Sequence, residues 1–397
     1  MSGGLLAVVF AACVVLSLGS SWVLVSRLER VGARLGLSEG LLGMLAALAA
    51  DAPEITAAVT ALAGHHTRIG AGVVIGSNVF NLAALLGLAA IVAGGIALHR
   101  RVIALEGTVA LWIASVCLAV VVGAVNPAVG LGLALAVLVP YVAALGLRRE
   151  RLGRLGLPAR WVRWLAEAIV EEEVELEAAI HPQRGRARDL IEAALATLVV
   201  VGASVAMEQT ASTLGARHRI PEIVVGGLIL AGVTSLPNAV AAVYLAGRGR
   251  GAATLSTAMN SNALNVTAGL LLPATLVGVS ATSGQSTLVA AWYLGLTAFA
   301  LAAAYISRGL RRVHGALIIC AYASFAGMVV ATAYSSRAGV LLSIAVPAVA
   351  GSVLAAALLA RRRPSPPALG SGHPPSADSA TDKRTPSEHA SGLGHIR

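Results

Sequence analysis

Two carboxylates, Asp51 and Glu54, stand in the stretch AADAPEITAAV (residues 49–59), inside a long apolar run that holds no Lys or Arg. An acidic group at the centre of a membrane span costs about 2.5–3.5 kcal/mol on insertion scales. Residues three apart share one helix face, so these two acids cannot point away from each other. In hydrocarbon they repel unless a cation or protons lie between them. The pair therefore reads as a cation or proton site. Pro53, between them, has no N–H and clashes with the carbonyl four residues earlier, that of Ala49. A carbonyl freed in a membrane needs a new partner, and a cation can be one.

The elements that must hold such a pair are membrane spans. Of 397 residues, 57% are hydrophobic and only 12% charged, against about a quarter charged in an ordinary soluble domain. Apolar runs of about 20 residues, enough to cross a bilayer as helices, recur at roughly 4–26, 38–63, 69–96, 104–122, 126–147, 190–213, 220–246, 252–278, 286–306, 315–334 and 338–360. The expected fold is an all-α polytopic membrane protein. The first apolar run has no basic residue before it and is longer than a signal-peptide core, so it reads as a span that stays. With the sides alternating from an outside N-terminus, inside loops carry 22 Arg and outside loops 4. The positive-inside rule then places the N-terminus outside and the C-terminus in the cytoplasm. It also accounts for the net charge of +10 without a nucleic-acid partner.

The loop at 148–189 contains WLAEAIVEEEVELEAAIHP and reads as a cytoplasmic segment with a short solvated amphipathic helix. Residues 336–363 hold an extra span. Residues 364–397, rich in Pro, Ser and Gly with almost no apolar side chains, read as a disordered cytoplasmic tail. Cys13, Cys117 and Cys320 are scattered through spans and read as buried structural thiols.

An internal duplication runs through the chain. At one constant offset of 184 residues, Gly43 aligns with Gly227, Ala47 with Ala231 and Pro53 with Pro237. Without a gap, SNVFN (77–81) falls on SNALN (261–265), so that Ser77, Asn78 and Asn81 match Ser261, Asn262 and Asn265. Matching helices lie five spans apart, so the copies, 1–147 and 190–335, cross the membrane in opposite senses. In transporters built this way the substrate site lies near the midplane, on helices broken by Gly or Pro. Ser77, Asn81, Thr234, Ser235, Asn238, Ser261 and Asn265 offer the neutral oxygens that hard cations accept.

These residues resemble the two signature repeats of the sodium/calcium exchanger superfamily, whose core reads G-T-S-L-P-E followed by G-S-N-I-F-N. The second copy keeps TSLP, and the first keeps PE and GSNVFN. The resemblance implies two broken helices per repeat forming a core, with the first helix of each repeat sliding against it. It also implies Glu54 as the principal carboxylate. Ser77, Asn81, Thr234, Ser235, Ser261, Asn265 and the main-chain carbonyls of Ala47 and Ala231 would line the ion sites. The chain departs from the pattern in two linked places. Asn238 stands where the second glutamate is usual, and Ala50-Asp51 replaces Thr-Ser.

The function that follows is secondary antiport of Ca²⁺ against Na⁺ by alternating access. The alternative is Ca²⁺/H⁺ exchange with Asp51 and Glu54 as proton carriers. The partners are small inorganic cations and the bilayer, with no resident cofactor. An intramembrane enzyme would need a second acid facing Asp51, and the matching position holds Asn238.

Overall fold

The computed structural model describes residues 2–146 and 186–278, residues 283–334, and five positions between, Arg160, Arg163, Trp164, Glu167 and Ala168. The expected tail, the extra span and most of the 148–189 loop, with its amphipathic helix, lie outside the described residues.

Helix α1 (Gly3–Arg34) is capped by Ser2, whose hydroxyl accepts from the Leu5 N–H. It runs two turns beyond the expected span because its basic end projects past the apolar stretch. Two short helices follow, α2 (Glu39–Ala50) and α3 (Ala52–Ala63), bent by 52°. Helix α4 (Thr67–Val92) continues through a π-helical stretch at Leu82–Leu88. Then come α5 (Arg100–Val121) and α6 (Pro127–Gly146). The second copy repeats the plan. It has α7 (Ala187–Arg217) and a bent pair, α8 (Glu222–Thr234) and α9 (Leu236–Gly247), at 46°. Next is α10, built of Gly251–Leu264, a π stretch at Asn265–Leu271 and Leu272–Val277. Helices α11 (Gly284–Ser307) and α12 (Arg312–Ala333) complete it.

Among the described residues, seven helices are long and apolar enough to cross a membrane, and nine if each bent pair is one span. The run at 252–278 falls short of that test because Thr254, Ser256, Asn260, Ser261, Asn262 and Asn265 make it polar; all six are buried in the protein centre. One departure from an all-helical chain is a short antiparallel pair, β1 (Gly95–Ala97) with β2 (Gly309–Arg311). Cys13 and Cys117 are buried as expected, whereas Cys320 is exposed on an outward face of α12.

The inversion is visible in the contacts. Helices α1 and α7 are antiparallel: Arg27 meets Asp189 at 3.5 Å at one end, and farther along Ser17 and Ser204 share a buried hydrogen bond of 2.8 Å. Between those points Leu24 packs on Ala193, Ala196 and Val200. In the centre, Asn78 and Asn262, equivalent residues of the two copies, donate side-chain N–H groups to each other's main-chain carbonyls at 3.1 and 3.2 Å. A pseudo-two-fold axis passes between them.

Glycine lets the copies approach this closely. A β-carbon on Gly76 would lie 2.2 Å from the Gly227 carbonyl oxygen, and one on Gly226 would lie 2.3 Å from that of Ile69. Both obstacles are main chain and cannot rotate away. Gly76→Ala should therefore force α4 from α8 and destabilise the protein by about 1–3 kcal/mol, read as a lower Tm in detergent. Gly232→Ala, with nothing within 4 Å, should leave Tm unchanged. Equal melting of the two variants would show that the close approach is not needed.

Candidate cation site

Both helix breaks occur at equivalent positions. Asp51 ends α2 with φ −82° and ψ −4°, and Ser235 ends α8 with φ −83° and ψ 1°. Each is followed two residues later by proline at the second position of the next helix, where a missing N–H costs nothing. The third position holds Glu54 in α3 and Asn238 in α9. Both half-helices thus turn their N-terminal, partially positive ends toward the protein centre.

Of the two carbonyls expected to be freed by the prolines, Ala49 O is partnered within the protein: it accepts the Ser21 hydroxyl from α1 at 3.0 Å. The N–H of the residue at each bend, Asp51 or Ser235, goes to the carbonyl four residues back, that of Ala47 or Ala231. The Ala47 and Ala231 carbonyls each accept one main-chain N–H, at 2.9 and 3.2 Å. A carbonyl has a second lone pair.

Asp51, Glu54, Ser77, Asn81, Thr234, Ser235, Asn238, Ser261 and Asn265 are all buried. Ser235 donates to Glu54 Oε1 at 3.0 Å. At the equivalent place across the axis, Asn238 donates to Asp51 Oδ1 at 2.7 Å. These are the same contact with the acid and its donor exchanged, because Asp51 corresponds to Ser235 and Glu54 to Asn238. The two carboxylates are neighbours on one helix, yet each is tied to a different half of the symmetric centre. Ser261 adds a second donor to Asp51 Oδ1 at 2.7 Å and itself accepts from Asn81 at 3.0 Å. Asn81 also donates to Asn262 Oδ1 at 3.1 Å, mirrored by Asn265 donating to Asn78 Oδ1 at 3.2 Å.

These bonds use one oxygen of each acid and the amide nitrogens. Four buried oxygens receive no hydrogen bond: Asp51 Oδ2, Glu54 Oε2, Asn81 Oδ1 and Asn265 Oδ1. Leaving such acceptors dry and unpaired costs about 1–3 kcal/mol each, whereas a cation satisfies several at once. Two expected ligands behave differently. Ser77 donates back to Val74 O at 3.0 Å, and Thr234 to Leu230 O at 2.9 Å, so their hydroxyls bond their own helices. Asn78 and Asn262 were not among the expected site residues. Their matching place in the SNVFN and SNALN motifs was the available signal.

The family model described as "Sodium/calcium exchanger protein" matches residues 5–148 and 190–331. The chain belongs to the sodium/calcium exchanger family. Members of this family are transporters, and this exchanger shares their two-repeat, multi-pass membrane plan and their concern with small inorganic cations. No curated protein matches it. Among solved structures it is similar to an H⁺/Ca²⁺ exchanger, CAX, with TM-score 0.60 and 12% identity, covering 90% of this chain and 92% of that one. It is similar to the sodium-calcium exchanger NCX_Mj, with TM-score 0.54 and 18% identity over 80% of this chain and 96% of that one. Native YfkE is similar at TM-score 0.51 and 16% identity, covering 81% and 90%.

The exchanged contact gives a direct test. Asn238→Glu in this exchanger places a new carboxylate against Asp51 Oδ1 and should lower divalent transport by more than about tenfold, or 1.4 kcal/mol. Adding Asp51→Ser rebuilds at this place the serine–glutamate contact seen at Ser235 and Glu54, and should restore much of the flux. Additive losses in the double variant, measured as vesicle uptake, would rule out the compensation.

Proposed function

We propose that this exchanger carries Ca²⁺ across the membrane in exchange for Na⁺, by alternating access to one site at the centre of the two repeats. The observation that carries this reading is the set of four unpaired buried oxygens, two of them from carboxylates. Ca²⁺ takes 6–8 oxygens. Those four and the second lone pairs of the Ala47 and Ala231 carbonyls offer about six. Its two positive charges balance the two carboxylates, which repel each other in a low-dielectric centre when it leaves.

The return step needs equivalent charge from monovalent ions. Thr234 and Ser77 give their hydroxyl hydrogens to carbonyls of their own helices, which leaves oxygen lone pairs as neutral ligands of the kind Na⁺ accepts. The second reading is exchange for protons, with Asp51 Oδ2 and Glu54 Oε2 as acceptors. It is favoured by Ala50, which replaces the threonine matched by Thr234 and leaves the first repeat one hydroxyl short. The named activities of CAX and NCX_Mj bring both coupling ions to this fold. The Arg bias supports an N-terminus outside and a C-terminus in the cytoplasm.

Reconstituted into vesicles, the protein should take up Ca²⁺ when an outward Na⁺ gradient is imposed at constant pH, and little with a pH gradient alone. Glu54→Gln should abolish that uptake while leaving the protein folded. Uptake driven by protons and indifferent to Na⁺ would transfer the assignment to the second reading. Wild-type flux in Glu54→Gln would remove Glu54 from the site.

A further inference from the structure

Most of the chain's arginines gather at one end of the bundle, and several of them have a partner there. Arg312 stands against the C-terminal end of α4, where a β-carbon on Gly94 would lie 3.3 Å from its Nη2. Arg100 donates from Nε to Tyr305 O, near the end of α11, at 3.4 Å. Arg101 pairs with Glu167 at 2.7 Å. Arg250 differs. It is half-buried, and its Nη1 is shut off from solvent and meets no acceptor among the described residues. The positive-inside rule explains why arginines collect at this end. It does not explain a guanidinium N–H withdrawn from water with nothing to bond, which costs free energy until a ligand supplies the acceptor.

The main chain holds Arg250 in place. Its N–H donates to Leu245 O at 3.1 Å, and its carbonyl accepts the N–H and the hydroxyl of Thr254 at 3.1 and 2.8 Å. The next residue, Gly251, presses on β1, since a β-carbon there would lie 2.1 Å from Ala97 O. Ala97 pairs with Gly309 of β2, and the Leu98 N–H donates to Arg308 O at 3.3 Å. Arg250 and the exposed Arg308 therefore flank the same short segment, Ala97–Leu98.

Neighbouring side chains mark the depth of this place in the membrane. Arg248 lies over the Tyr244 ring at 4.3 Å and Arg100 over that of Tyr305 at 5.2 Å. Both tyrosines are exposed, and exposed tyrosines of a membrane protein collect at headgroup level. Leu236, Val240 and Tyr244 are also four residues apart on α9, so they form one exposed strip that ends at Arg248. A basic end above an apolar strip matches an amphiphile with an anionic head.

We propose that Arg250, with Arg248 and Arg308 beside it, binds the phosphate of an anionic phospholipid whose acyl chain lies along the Leu236–Val240–Tyr244 strip. A phosphate oxygen accepts from Arg250 Nη1 in a charge-assisted hydrogen bond. The neighbouring arginines favour a headgroup of net negative charge. A free phosphate ion would satisfy the same N–H but would make no use of the strip. The inference holds for either coupling ion.

Native mass spectrometry of the full-length protein in detergent, with one lipid added at a time, reads the binding directly. Phosphatidylglycerol should be retained, and phosphatidylcholine, whose headgroup carries a compensating cation, should be retained less. Inorganic phosphate and glycerol phosphate, which lack acyl chains, should not displace the bound lipid at equal concentration. Arg250→Gln should weaken phosphatidylglycerol binding by about tenfold, the size of one hydrogen bond to a charged group. Arg68→Gln, at the opposite end of α4, should not weaken it. The Tm of Arg250→Gln in lipid-free detergent should match that of the unaltered protein, because that side-chain nitrogen bonds nothing within the chain. Added phosphatidylglycerol should then raise the Tm of the unaltered protein more than that of the variant. Equal retention of the two lipids, displacement by either phosphate, unchanged binding in Arg250→Gln, or a lower Tm of that variant before lipid is added would each overturn the proposal.

Discussion

Charge in a low-dielectric interior is the constraint from which the rest of this architecture follows. Two carboxylates lie at the protein centre with no basic side chain in their span, so their charge has to be met by dipoles, hydrogen bonds and ions. The prolyl breaks bring the positive ends of α3 and α9 to the same place. Ser235, Asn238 and Ser261 each give one hydrogen bond to an acid. That accounts for Asp51 Oδ1 and Glu54 Oε1 and leaves the partner oxygens without a donor. The arrangement holds the acids in place without quenching them. An ion that satisfies the remaining oxygens binds without displacing any bond that keeps the site in shape.

The exchange of acid and donor between the copies shows how an inverted repeat tolerates changes that look severe in one dimension. On the sequence, Asn238 is a lost carboxylate and Asp51 an added one on the wrong helix. In space they are the two ends of a single contact, equivalent to that between Ser235 and Glu54. Reversing which end is acidic keeps one carboxylate in each half of the site. What the two-fold relation conserves is the contact, not the residue at either end of it.

Much of this was legible because it depends on register. The 184-residue offset fixed which helices are equivalent, which prolines break them and which asparagines correspond; that Asn78 and Asn262 meet came from the structure. The four unpaired oxygens were not legible, because they depend on how amides from α4 and α10 divide their bonds. Ser77 and Thr234 were expected to offer their oxygens to the site; that each gives its hydrogen to a carbonyl of its own helix is a bond the motif spacing does not show. The freed carbonyl of Ala49 was assigned to an ion because nothing in the local sequence reveals that Ser21, 28 residues away, reaches it. Glu106 was overlooked although an acid within a 22-residue apolar helix is itself a signal; the Tyr141 hydroxyl that meets it comes from the next helix.

The Ser21 contact has a mechanical consequence. Helices α1 and α7 hold each other through Ser17 and Ser204 in the middle. At one end Arg27 meets Asp189 and Glu192, and Arg30 meets Asp189. Their polar contacts are chiefly with each other, whereas the core is tied by the reciprocal asparagine bonds at its axis. Ser21 is a polar link between the α1–α7 pair and the break at Asp51. A shift of α1 along its axis by one helical turn, about 5.4 Å, would carry that hydroxyl off Ala49 O and leave the carbonyl without this partner. Losing one such partner costs about 1–3 kcal/mol, small enough to be offset by an ion at the acids. The position of the outer pair and the geometry of the break that carries Asp51 are thus coupled through this hydrogen bond and through Ala49, which packs with Leu24, Ala193, Ala196 and Val200.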